Sequence, residues 1–122
     1  MKTIKIILSL IMSILLLLCQ TPEPNIIESL RFEPPLFDPF KQNTKIKYNL
    51  LKPATVSIYI YDREGRKIKT IAENLNLTAG NQSHGWKGDN DQGEFQTAGI
   101  YIGAVAVKGN KTYKTTVEIF YW

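Results

Sequence analysis

From Thr44 onward the apolar side chains recur at every second position, and nowhere after Cys19 do they form a stripe at 3.6 residues. That period leaves little choice. Successive side chains of a strand point to opposite faces, so a period of two buries one face only in a sheet. Ile46, Tyr48 and Leu50 alternate with Lys45, Lys47 and Asn49, and after the break at Lys52-Pro53-Ala54 the pattern resumes. There Val56, Ile58 and Ile60 alternate with Ser57, Tyr59 and Tyr61. A sheet with one wet face must cover its other face, and short strands at regular spacing read as an all-β sandwich.

The turns fit the same plan. Asp62-Arg63-Glu64-Gly65 is a hairpin turn with glycine where φ is positive. Residues 66–72 form a third strand, with Ile68 and Ile71 out of strict alternation, which predicts a bulge or an early end. Residues 74–80 read as a loop, 82–86 as a short extended segment and 87–93 as a polar turn. Residues 100–107 are apolar or small on both faces and suit a central strand. Lys108-Gly109-Asn110-Lys111 reads as a two-residue hairpin of type II′, with the glycine first. Residues 112–121 close the pattern with Val117, Ile119 and Tyr121 on one face.

The segment before Thr44 is different. Five of the six prolines lie within residues 22–39, and proline fixes φ and removes an amide donor. The stretch therefore reads as a semi-stiff tether, interrupted by residues 26–32, which have the composition of an edge strand. Ahead of it, Lys2 and Lys5 precede 13 residues, 6–18, that are apolar except for Ser9 and Ser13. Such a helix reaches about 20 Å, short of a bilayer core of about 30 Å. It reads as a cleavable export signal, the alternative being an uncleaved anchor.

The single cysteine stands directly after that run, in Leu15-Leu16-Leu17-Leu18-Cys19-Gln20. This resembles a bacterial lipoprotein signal, although Leu18 stands where the pattern has a small residue. The resemblance implies that Cys19 becomes the first mature residue and carries acyl chains, each buried CH₂ contributing about 0.8 kcal/mol to membrane binding. It further implies a bacterial cell-envelope protein, lipid-anchored, in the periplasm or at the outer-membrane surface. The organisation expected is a signal peptide at 1–18, a tether at 19–36 and one domain at 37–121. The chain holds 15 Lys and Arg against 11 Asp and Glu. Two of the lysines leave with the signal, and the remaining bias is too weak to argue for nucleic acid.

The domain matches a known pattern. Phe37-Asp38-Pro39-Phe40 followed by residues 44–50 resembles the opening of the FlgD/Vpr immunoglobulin-like domain. Residues 56–62 and 65–71 resemble its second and third strands. Gly80, Trp86-Lys87-Gly88, Asp91, Gly93, Gly99 and Tyr101 follow in its order. The resemblance covers about residues 37–120 and implies an immunoglobulin-like antiparallel β-sandwich. That family takes its name from a flagellar hook-capping protein; its module also closes many secreted bacterial proteins, and some related terminal domains act as secretion signals. Trp86 has a physical role besides: its ring spans much of the roughly 10 Å between two packed sheets.

Chemistry is sparse. Asp89-Asn90-Asp91-Gln92-Gly93 opens like an EF-hand loop, but Ile100 stands where the bidentate glutamate belongs, so no metal and no cofactor is expected. His84 is the one candidate base, and its neighbour Ser83 points to the opposite face of a strand. No catalytic residue is assigned and no enzyme is expected. Tyr59 and Tyr61 share the polar face of one strand, with Tyr113 and Trp122 further candidates for exposure. They offer rings that stack on sugars or fill a partner's pocket. Lys45, Lys47, Arg66, Lys67 and Lys69 read as solvated faces that protect edges. The function expected is a small non-enzymatic lipoprotein that presents a structural or interaction domain. A glycan- or cell-wall-binding module and a sorting-type terminal domain are the alternatives.

Overall fold

A computed structural model describes residues 24–122. The signal segment 1–18 and Cys19 lie outside the described residues. Eight strands follow one another: β1 (Ile27–Glu33), β2 (Leu36–Phe37), β3 (Thr44–Leu50), β4 (Ala54–Tyr61), β5 (Lys67–Leu77), β6 (Gly80–Trp86), β7 (Gly99–Val107) and β8 (Thr112–Ile119). They form a three-stranded sheet, β1-β3-β6, and a five-stranded sheet, β2-β8-β7-β4-β5. Neighbours run antiparallel except for the two-residue β2, which lies parallel to β8. The described residues contain no helix, and the architecture is an immunoglobulin-like β-sandwich.

The period-two faces meet in the middle. Ile46, Tyr48 and Leu50 of β3 pack against Val56, Ile58 and Ile60 of β4 and Val105 of β7, all buried. Each such side chain contributes about 1.5–3 kcal/mol on burial. Trp86 is 1% exposed and anchors one end of the core. Its ring lies 5.7 Å from that of Phe37, 5.6 Å from that of Tyr101 and 6.5 Å from that of Phe32. Its indole N–H donates to the Asp89 carbonyl at 2.9 Å, so no buried donor is left over.

The segment read as a tether is largely part of this sandwich. β1 pairs with β3 along its length, Phe32 opposite Ile46 and Ile27 opposite Leu50. Ile26, Ile27 and Phe32 are buried. A Cβ on Gly103 of β7 would stand 2.5 Å from Cζ of Phe32, so the bare glycine is what lets the ring cross from one sheet to the other. The packed unit therefore begins near Ile26, not at residue 37. Proline does not prevent this, because Pro22 and Pro24 precede β1 and Pro34 and Pro35 follow it, leaving 26–33 free to pair. β1 is an edge strand, with a register shift after Glu28 where Ser29 adopts φ 57°.

Two more expectations give way. Residues 74–77 are not loop: β5 runs on to Leu77, with Leu75 opposite Val56 and Leu77 opposite Ala54. Asn74 absorbs a bulge at φ 50°, a conformation asparagine tolerates. The 108–111 hairpin is not type II′, since β7 and β8 pair Ala106 with Thr112. The turn bond runs from the Asn110 amide to the Val107 carbonyl at 3.0 Å. Gly109, at φ 76°, thus occupies the third turn position, as in a type II turn.

The sandwich has two unlike ends. At the lower end lie Ile26, the 51–53 loop, the 78–79 turn and the 108–111 hairpin. Leu51 N–H donates to Ile26 O at 2.8 Å, and Lys108 N–H to Thr55 O at 3.0 Å. At the upper end lie the loops 38–43, 62–66 and 87–98 and the terminal residues 120–122. There the Gln96 amide donates to Gly88 O at 2.8 Å and the Phe120 amide to Phe37 O at 3.1 Å.

Candidate functional site

The tyrosines singled out in the sequence do come together. Tyr59 and Tyr61 stand half-buried on the outer face of the five-stranded sheet, edge to face with centroids 6.4 Å apart. Tyr59 is already engaged. Its hydroxyl donates to Glu73 at 3.2 Å, and the Lys67 ammonium lies 5.0 Å over its ring. Tyr61 walls a shallow depression of about 340 Å³ lined also by Gly65, Ile102, Ala104, Thr112 and Lys114. Tyr113 is no part of this surface. Its hydroxyl accepts from the Ile26 amide at 3.0 Å and donates to Asn110 at 2.8 Å, which ties the start of the domain to the lower hairpin.

A larger aromatic surface forms at the upper end. Phe40 is 72% exposed, edge to face with Phe95 at 5.0 Å and tilted against Tyr121 at 5.4 Å. Trp122 is 56% exposed and stacks on Phe120 at 6.0 Å. Lys41 lies 5.0 Å over the Trp122 ring and donates to the Trp122 carbonyl at 2.8 Å. Beneath them Asp38, 2% exposed, holds the ledge together. One carboxylate oxygen accepts from the Phe40 amide at 3.0 Å, the other from the Trp122 amide at 3.2 Å. Tyr121 donates to the Gln96 carbonyl, and burial, with Tyr101 and Asp38 beside it, pushes its hydroxyl pKa up. The sequence reading names Trp122 but not the ledge. Its signal was three consecutive aromatics, Phe120-Tyr121-Trp122, in a strand register that can bury only one face.

The charged and polar candidates are mostly spent on structure. Asn90 accepts from the Gln92 and Glu94 amides at 3.0 and 2.9 Å, and Asp91 from the Thr70 amide at 3.0 Å. Asp89 pairs with Lys69 at 3.1 Å. Among the described residues no three His, Cys, Asp or Glu side chains are grouped to hold a metal ion. His84 packs its ring on that of Tyr48 and shares a 3.0 Å hydrogen bond with its hydroxyl. Burial lowers the His84 pKa and pushes that of Tyr48 up to about 12. Lys45 and Lys47 lie on β3, the middle strand of its sheet, so edge protection does not explain them; of the five basic residues only Lys67 and Lys69 sit on an edge strand. Lys47 and Arg31 each bond Glu33 at 2.7 Å and hold its carboxyl near pKa 2. Arg66 holds Asp62 below the usual carboxylate range, through its backbone amide first and its side chain second.

The architecture defines an immunoglobulin-like module with surfaces on its sheet face and its upper end. It is FlgD-like. The crystal structure of FlgD from P. aeruginosa superposes with a TM-score of 0.51 at 25% identity, covering 67% of this chain and 65% of that one. A Pseudomonas fluorescens alkylpurine DNA glycosylase, AlkC, bound to DNA containing an abasic site analog, superposes with a TM-score of 0.50 at 17% identity. That likeness covers 77% of this chain and 30% of AlkC, and at this identity it speaks for the fold alone. No family model matches the chain, and no curated protein matches it.

Proposed function

We propose that this chain is a small bacterial envelope lipoprotein, anchored through acylated Cys19, whose sandwich is a non-enzymatic structural or interaction module. The observation that carries the interaction reading is the upper aromatic ledge. Five aromatic side chains are grouped at one end, four of them about half exposed or more: Phe40, Trp122, Phe120 and Phe95. Large exposed apolar groupings mark contact surfaces, and aromatics dominate contact energies. The likeness to FlgD supports a module of this class. The basic start, the apolar run and the cysteine after it support the anchor. The non-enzymatic reading rests on His84 being committed to Tyr48 within the sheet and on Ser83 facing away from it.

Detergent-phase partitioning tests the anchor. The wild-type chain from a bacterial host enters the detergent phase, and Cys19→Ser yields no acylated form. Partitioning that is indifferent to both acylation and signal removal contradicts the reading.

A second reading, glycan or cell-wall binding, is favoured by the depression beside Tyr61, which has an aromatic wall and a small-residue floor at Ala104. Tyr61→Ala and Tyr59→Ala then abolish retention on cell-wall glycan while the unfolding midpoint stays within the folded range. Retention equal to wild type in both variants removes this reading. A sorting-type role is the weakest of the three.

A further inference from the structure

The placement of β1 changes how far the domain can stand from a membrane. A tether of residues 19–36 would hold it well clear. With β1 inside the sandwich, only residues 20–25 separate Cys19 from the buried Ile26, and six residues span at most about 20 Å. The Asn110 side chain donates to the Pro24 carbonyl at 3.4 Å, so the chain reaches the domain at its lower end, beside the 108–111 hairpin.

That end is charged with one sign. The loops 51–53, 78–79 and 108–111 carry Lys52, Lys108 and Lys111, all exposed, and no Asp or Glu. Lys111 lies 5.3 Å over the Tyr113 ring, which fixes its ammonium at the hairpin rather than along the sheet. Leu51 is exposed between Lys52 and the buried Leu50. Glu28 stands one pair up β1, opposite Asn49. The upper loops 38–43, 62–66 and 87–98 are opposite in balance, with six acids against four basic side chains. β7 separates the two ends by nine residues, about 30 Å.

We propose that the lower end docks on an anionic bilayer surface, with Lys52, Lys108 and Lys111 against the headgroups and Leu51 at the interface, so that the aromatic ledge faces outward. This rests on the anchor reading above. A lipid at Cys19 holds these lysines within reach of the headgroup layer, where charge attraction acts over a Debye length of about 10 Å. Each lysine near an anionic surface shifts the docked-to-free ratio by about fivefold. Three together give about a hundredfold at low salt.

The test uses the full chain, processed in a bacterial host, purified and placed in vesicles of phosphatidylcholine with or without phosphatidylglycerol, both doped with a headgroup-quencher lipid. A fluorophore is attached through maleimide at Thr78→Cys, at the lower end, or at Gln92→Cys, at the upper end. The expected result is strong quenching at position 78 in the anionic vesicles, weak quenching there in the zwitterionic ones, and none at position 92 in either. Molar salt, or the triple substitution Lys52→Gln, Lys108→Gln, Lys111→Gln, abolishes the difference. Equal quenching at 78 in both vesicle types, indifference to the triple substitution, or quenching at 92 overturns the docked orientation. Protection of position 78 in cell membranes but not in protein-free anionic vesicles also overturns it and assigns the end to an acidic protein. The anchor reading is scored separately. The chain without an introduced cysteine takes no maleimide when Cys19 is acylated, and labels when it is not.

Discussion

The two ends of the sandwich are built on the same strands and finished in opposite ways. The lower end turns in two to four residues, carries three lysines and lays almost nothing aromatic open to water. Apart from the two-residue link at Pro34-Pro35, the upper end has loops of five to twelve residues, an acidic balance and the exposed ledge of Phe40, Phe95, Phe120 and Trp122. Short loops are determined by turn chemistry. Long loops on a rigid scaffold are free to carry contacts, which is where binding surfaces concentrate. On the proposed function, the contrast separates a supporting end from a presenting one, and the buried Asp38 ties the upper end together through the Phe40 and Trp122 amides.

The largest effect expected from breaking this arrangement comes from Phe32→Ala. The ring bridges β1 and Gly103, and its removal costs about 3–5 kcal/mol. Denaturant unfolding measures this as a lowered midpoint. A midpoint near wild type means that residues 26–33 hang free and that the lower end has no fixed distance from residue 19.

That β1 needed the structure to be placed shows what the sequence carries. The alternation in 44–50, 56–61 and 112–119 was legible because each strand has one wet face, and Trp86 was legible as a filler between sheets. Residues 26–32 had the composition of an edge strand, as β1 is, but the prolines around them concealed that it belongs to the domain, because proline is excluded from ladders, not from the residues that flank them. Asn74 and Asn76 concealed the end of β5 in the same way. Asparagine is a turn residue, yet Leu75 and Leu77 continued the alternation beside it. Of the site, the Tyr59–Tyr61 pair was visible because both residues share one strand. The ledge was not, since it joins residue 40, residue 95 and residues 120–122, which only the folded chain brings together.

Between the two ends, the Tyr48–His84 pair gives the stability a pH window. The Tyr48 hydroxyl is neutral in the fold up to about pH 12 against an ordinary 10.0. Its contribution is fully present below pH 10 and is lost as pH rises through 12, by about 2 kcal/mol. The lowered His84 pKa acts on the other side: stability is full above about 6.5, the value of an unperturbed histidine, and falls as pH drops below it. Chemical denaturation across pH reads both limbs. Tyr48→Phe shrinks the alkaline limb to the part that Tyr121, also raised by burial, supplies. An alkaline limb unchanged in Tyr48→Phe places its source elsewhere.

A smaller effect sharpens the upper end alone. Asp38→Asn keeps the shape but weakens the acceptors for the Phe40 and Trp122 amides, at a cost of about 1–2 kcal/mol. Hydrogen exchange at the Trp122 amide speeds up, while the Ile26 amide, held by Tyr113 at the lower end, exchanges as before. Equal acceleration at both would show the ends to be coupled through the core. Smallest of all, Lys52→Gln, Lys108→Gln and Lys111→Gln each leave stability within about 0.5 kcal/mol, as exposed positions do. A larger loss in thermal unfolding would give them a structural role that the supporting end does not require.

The most direct test of the whole account is the mass of the chain recovered from the membrane fraction of a bacterial host. A supporting end held at a membrane requires a lipid at residue 19, so the account predicts a mature protein that begins at Cys19 and is heavier by its acyl chains. A chain that still carries residues 1–18 with Cys19 unmodified would contradict it.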